Sequence, residues 1–117
     1  GGSLTVTNAG NTISYPRIVI QGPISGPVVE NVTQGLALVF SDLTVGDGQT
    51  LTIETNPAAP RSATVAGANA LGSLDWLLSD WFGITAGATE TIRFYGLGGG
   101  YAAGTTLTVY WRDAYLS

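Results

Sequence analysis

A chain of 117 residues is long enough for one domain that buries about two-thirds of its unfolded surface, and too short for a second core. It contains no cysteine and no histidine, which removes disulfides, thiolate nucleophiles, sulfur-ligated metal and the side chain most used as a general base near neutral pH. Charged residues make up only 10%, lysine is absent and the net charge is −4, so no basic stripe exists to neutralise a phosphate backbone, and nucleic-acid binding is not expected.

In chain order, Gly1-Gly2-Ser3 reads as a linker or cleavage remnant (residues 1–3) ahead of a single domain over residues 4–117. Together with the lack of methionine it suggests a piece of a longer protein. A weak strand at residues 4–7 runs into the turn signal Asn8-Ala9-Gly10-Asn11. Ile18 and Ile20 then alternate with Arg17, Val19 and Gln21, and Gly22-Pro23 and Gly26-Pro27 mark turns before a second weak strand at residues 27–33. Leu36, Leu38 and Phe40 share a face. Beyond the turn at Gly46-Asp47-Gly48, Leu51 and Ile53 alternate with Thr50, Thr52 and Glu54, and beyond Asn56-Pro57, Ala63 and Val65 alternate with Ser62 and Thr64.

Residues 72–82 break this period. Leu74, Leu77, Leu78 and Trp81 follow offsets of three, four and seven, which predicts a short helical turn with Ser73 as its cap. Alternation returns with Ile92 and Phe94, pauses at the glycine run 98–100, and closes with Leu107, Val109 and Trp111. About eight or nine short strands, each apolar on one face, predict an all-β fold: a two-sheet antiparallel β-sandwich of jelly-roll type with one short helical turn. Leu38, Phe40, Leu51, Ile53, Ile92, Phe94, Leu107, Val109 and Trp111 should form its core.

Few groups could carry chemistry. Trp76, Trp81 and Phe82 are the densest aromatic cluster; Trp81 and Phe82 are expected to plug an open end of the sandwich, leaving Trp76 partly exposed as a candidate for sugar stacking or interaction. Tyr95, Tyr101, Tyr110 and Tyr115 are candidates for contact with a neighbouring subunit, because tyrosine is favoured at interfaces. Asp42 and Asp47 flank a glycine turn that matches no calcium loop, and Asp75 with Asp80 is a weak carboxylate pair. The glycine-rich run 96–100 lacks the lysine and helix of a phosphate cradle and reads as a hairpin loop. Arg112-Asp113 could hold the last residues in place. With no His, Cys or Lys, no nucleophile–base pair can be assembled, so no enzyme, no cofactor and no metal site is expected.

No run reaches the roughly 18 apolar residues that span a bilayer, and membrane insertion is not expected.

Two ends of the chain carry one pattern: Asn8-x-Gly10, Tyr15-Pro16, Ile18-x-Ile20-x-Gly22-Pro23, Pro27 and Asn31, then Thr91-Ile92-Arg93-Phe94 and Val109-Tyr110-Trp111-Arg112-Asp113-Ala114-Tyr115-Leu116. Between them stand Gly48, Leu51, Ile53, Glu54, Thr55, Arg61, Val65 and Gly67, then Leu74, Asp75, Ser79, Trp81, Phe82, Ile84 and Gly87. In this order they resemble the C-terminal domain of distal tail proteins and related minor tail proteins of long-tailed, non-contractile bacteriophages. Ala86 departs from that pattern, standing where a proline is usual.

The resemblance implies a galectin-like or jelly-roll sandwich located in the virion tail. In the family it is attached to an N-terminal ring-forming domain, which is expected to lie outside these 117 residues, so the isolated domain should be monomeric or weakly self-associating. The implied role is a peripheral scaffold at the tail tip that docks other phage tail-tip proteins through an uncharged face rich in Thr, Ser and Tyr. The alternative is a carbohydrate-binding module that recognises a host cell-surface glycan.

Overall fold

The computed structural model describes residues 2–97 and 104–116. The strands are β1 (Gly2–Thr7), β2 (Arg17–Gln21), β3 (Ile24–Ser25), β4 (Pro27–Asn31), β5 (Leu36–Val39), β6 (Thr44–Val45), β7 (Thr50–Glu54), β8 (Ser62–Val65), β9 (Ala68–Asn69), β10 (Thr89–Gly96) and β11 (Thr106–Tyr110). They form a four-stranded sheet in the order β1-β10-β4-β5, a five-stranded sheet in the order β11-β2-β7-β8-β9 and the small pair β3-β6. Every pairing is antiparallel, and the two larger sheets enclose one core as a β-sandwich. β3, β6 and β9 are two residues long, too short to show a period, so alternation alone marks only the longer strands.

The strong alternations set the register. Ile18 and Ile20 face Ile53 and Leu51 across the β2–β7 pair and Val109 and Leu107 across the β2–β11 pair, so one side of the five-stranded sheet is aliphatic. From the other sheet, Leu38, Val29, Phe94 and Ile92 complete the interior with Phe40, which lies just beyond β5. Leu38, Phe40, Leu51, Ile53, Ile92, Phe94 and Val109 are buried as expected, and Leu107 is half-buried against them.

Two expectations need correction. Trp111 is not core: β11 ends at Tyr110, so the alternation stops one residue earlier, and the indole is 42% exposed with its Nε1–H donating to the Thr7 carbonyl at 2.8 Å. The helical turn lies at residues Leu71–Ser73, ahead of the segment that the apolar spacing marked. Within residues 74–80 the backbone is committed elsewhere. Asp75 and Asp80 donate their N–H groups to Val39 and Ala37 of the β5 edge, and the Asp75 carboxylate closes a separate turn at 76–78 by accepting from Leu77 and Leu78, while the helical turn at Leu71–Ser73 has no side-chain cap from Ser73 or any other residue. Leu74 is buried, whereas Leu77 is 97% exposed, so the spacing described no single face.

One carboxylate is built into the sandwich. Glu90, 3% exposed, accepts from Gln34 Nε2 at 2.9 Å, Asn31 Nδ2 at 3.1 Å, the Thr85 N–H at 3.1 Å and the Thr85 hydroxyl at 3.0 Å. Burial opposes its charged form, but the donors from Gln34, Asn31 and Thr85 outweigh that and hold the carboxyl below its ordinary value. A depressed pKa means stability that is present above the unfolded value of about 4.3 and is lost as pH falls through the folded value. The stability gap between the wild type and Glu90→Gln should therefore be widest at neutral pH and shrink on acidification below about pH 4, as read by urea melts across pH. In the same assay Phe40→Ala should cost about 3–5 kcal/mol, and Trp111→Ala only about 1–2 kcal/mol; equal losses would return Trp111 to the core.

Candidate functional site

After β11 the chain leaves the sheet as the segment 111–116, which has no strand partner of its own. It is fastened to residues 7–14 instead. Asn8, 0% exposed, donates from Nδ2 to the carbonyls of Thr12 at 2.8 Å and Ile84 at 3.1 Å, and its Oδ1 accepts the N–H groups of Gly10 at 3.0 Å and Ala114 at 3.1 Å. Around it the Ala9 N–H donates to Asp113 Oδ1 at 2.8 Å, the Thr12 N–H to the Ala114 carbonyl at 3.1 Å, the Ser14 hydroxyl to the Arg112 carbonyl at 2.7 Å and the Leu116 N–H to Asn11 Oδ1 at 2.6 Å. Gly10 is required by this close approach, since a Cβ there would overlap the Ala114 backbone. Asp113 thus positions the tail through a backbone N–H.

The fastened tail walls a cleft. One lobe, of about 460 Å³, is lined by Tyr15, Arg17, Glu54, Tyr110, Trp111 and Arg112. A second, of about 480 Å³, shares Tyr15 and Arg112 and adds Asn56 and Tyr115 among its lining residues. Tyr110, Arg17, Glu54 and Ser62 are successive cross-strand neighbours at one end of the five-stranded sheet. The Arg17 guanidinium lies 5.0 Å from the centre of the Tyr110 ring. Behind this row, the outer face of the sheet continues as Thr108, Val19, Thr52, Thr64 and Asn69, and Arg17 and Glu54 are the charged residues among its strands.

The other expected site residues separate. Tyr110 and Tyr115 come to the cleft, but Tyr95 sits in the four-stranded sheet beneath the Arg93 guanidinium at 5.4 Å, and Tyr101 lies outside the described residues. Tyr15, Trp111 and the two arginines belong to the cleft although none was expected there. Tyr15, Trp111 and Arg112 are signalled in the sequence only by the Tyr15-Pro16 and Trp111-Arg112 motifs, and Arg17 only by its polar place in the β2 alternation.

Trp76 is on a different element, at the apex of the 74–80 loop. There Trp76, Leu77 and Leu78 are 64%, 97% and 63% exposed in succession. Phe82 is buried and Trp81 half-buried against the core as expected, with Arg61 over the Trp81 ring at 5.4 Å. Asp42 and Asp47 are exposed, and among the described residues no group of three or more Asp or Glu gathers to hold a metal ion.

Residues 9–115 match the family described as siphovirus-type tail component, C-terminal domain. The chain belongs to this family. It is therefore a component of the virion tail, with a structural role there. No curated protein and no solved structure matches the chain significantly.

Asn8→Ala should leave the Ala114 N–H and the Ile84 carbonyl without their side-chain partner, at a cost of about 1–3 kcal/mol. Amide exchange should accelerate at Ala114 and Leu116 before it does in β2 or β7. A uniform acceleration across all strands would show that the clasp is not a local device.

Proposed function

We propose that this tail component is a docking domain of the tail tip, and that its anchor on a neighbouring tail protein is the apex formed by Trp76, Leu77 and Leu78. The observation that carries this reading is the exposure of three consecutive large apolar side chains on a loop that is pinned rather than loose. Asp75 and Asp80 tie its backbone to β5, Ser79 Oγ accepts the Val39 N–H at 2.9 Å, and the Asp75 carboxylate closes the turn, so the apex is presented with little ordering left to lose on binding. Apolar side chains held outward in water gain free energy only when covered, and a few such anchors carry most of an interface's affinity. The sequence expectation was an uncharged docking face rich in Thr, Ser and Tyr; the outer face of the five-stranded sheet is the hydroxyl-rich surface closest to that description, lacks comparable apolar anchors and is secondary in this reading.

Binding to the purified tail-tip proteins of the same phage tests it. Leu77→Asp should weaken capture of one of them by about tenfold or more while the melting temperature stays unchanged, and added salt should matter little because the anchor is uncharged. Undiminished capture by Leu77→Asp would remove the apex from the interface. The isolated domain is expected to sediment as a monomer at micromolar concentration; a stable hexamer would mean that it assembles without a partner.

A further inference from the structure

We propose that the cleft between the fastened tail and the end of the five-stranded sheet is a binding site for an acidic saccharide, one or two sugar rings carrying a carboxylate or phosphate. This site is separate in sequence and in chemistry from the apolar apex. Its volume, about 460 Å³ in the lobe around Arg17, lies within the range of roughly 300–1,000 Å³ in which small ligands are held. Its lining specifies the ligand by three separate requirements.

The first is a negative group. Two of the four arginines of a chain with net charge −4 meet here: the lobe around Arg17 carries a formal +1 (Arg17 and Arg112 less Glu54), while in the second lobe Asp113, with one oxygen on the Ala9 N–H, balances Arg112, so the anion belongs in the first lobe. Arg17 and Glu54 are register partners, yet the ion pair found among the described residues is Arg93 with Glu30. Arg17 rests on the Tyr110 ring instead, which leaves its N–H edge for a planar anion.

The second is a set of hydroxyl donors. Glu54 has one oxygen on the Asn56 N–H at 3.3 Å and offers acceptor capacity to the cleft. An acidic peptide offers only its backbone N–H groups, one per residue, whereas a sugar ring presents several hydroxyl donors on adjacent carbons.

The third is a flat apolar face. Tyr15 and Trp111 present half-exposed rings beside Tyr110, one face of which carries Arg17, and the indole is already oriented by its bond to the Thr7 carbonyl. Rings fixed in this way stack against the C–H faces of a pyranose with little entropy lost.

The test uses the domain with phosphorylated pentamannose and tetragalacturonate as acidic probes, unphosphorylated pentamannose as the neutral match and a glutamate oligomer as the peptide control. Binding is read by calorimetry and by the shift of the Trp111 indole N–H in NMR spectra. At least one acidic saccharide should bind, should move that N–H, and should weaken with added salt. Which of the two binds distinguishes phosphate from carboxylate. Arg17→Gln with Arg112→Gln should weaken it by about tenfold or more, since a charge-assisted bidentate contact is lost. Tyr110→Ala, which keeps both arginines, should weaken it as well, whereas Trp76→Ala and Leu77→Asp should leave it unchanged. The proposal is overturned if neither acidic saccharide binds, if neutral pentamannose binds as well as its phosphorylated form, if the glutamate oligomer binds more tightly, or if the double arginine variant, folded by its melting curve, binds undiminished.

Discussion

The carboxamide of Asn8 is fully buried and uses both donors and both acceptor positions, on Thr12, Ile84, Gly10 and Ala114. Each partner is a backbone group, and the bond to Ala114 joins the segment 111–116 to residues 7–14 beside those made by Ala9, Asn11, Thr12 and Ser14. Without it, the part-buried N–H of Ala114 would lose its partner and the carbonyl of Ile84 would keep only the Ser14 N–H. The cleft exists because this clasp holds: Trp111 and Arg112 line it from a segment that no sheet supports. Gly10 and Ser14 serve the same junction, one by leaving room for the tail and the other by bonding the Arg112 carbonyl.

A chain with so few charges has to fix its irregular segments by neutral or partly neutral polar contacts, and the family's scattered motif residues are where it does so. Thr55 donates its hydroxyl to the Pro16 carbonyl at 2.6 Å, Arg61 Nε donates to the Thr55 carbonyl at 3.3 Å, and the same guanidinium covers Trp81. This relay ties the end of β7, the approach to β2 and the aromatic plug into one corner. Glu90 plays the equivalent part for the β4–β5 turn and residue 85, drawing Asn31, Gln34 and Thr85 onto one buried carboxylate. Among the described residues no buried side-chain N or O is left without a partner, which is the condition for placing such groups inside a sandwich at all.

The two surfaces raised by this scaffold differ in what they can gain. The apex of Trp76, Leu77 and Leu78 has apolar area to bury and little to hydrogen-bond, which suits a protein socket in an assembly. The cleft has aromatic faces, guanidinium groups and a carboxylate within one small volume, which suits a polar, ring-shaped ligand. A tail component with both would join its neighbours through one and meet a saccharide through the other.

Much of the sandwich is legible in the sequence because a half-buried strand must alternate: Ile18 and Ile20, Leu51 and Ile53, Ile92 and Phe94 each announce a face, and each lies inside. The family pattern was legible too, since it rests on residue identities and their order, and those do not depend on knowing what they touch. Alternation fails where the backbone finds partners off the ladder. Trp111 continued the period by type, yet β11 had already ended and its N–H went to Thr7. Leu74, Leu77, Leu78 and Trp81 had helical spacing, but the hydrogen bonds of that loop go to β5 and to Asp75, a choice made by a strand more than thirty residues earlier. The cleft was beyond reach for the same reason. Tyr15 and Arg17 meet Tyr110, Trp111 and Arg112 from the other end of the chain, and what joins them is the three-dimensional clasp at Asn8: composition fixed which groups were available, and tertiary structure alone decided which of them became neighbours.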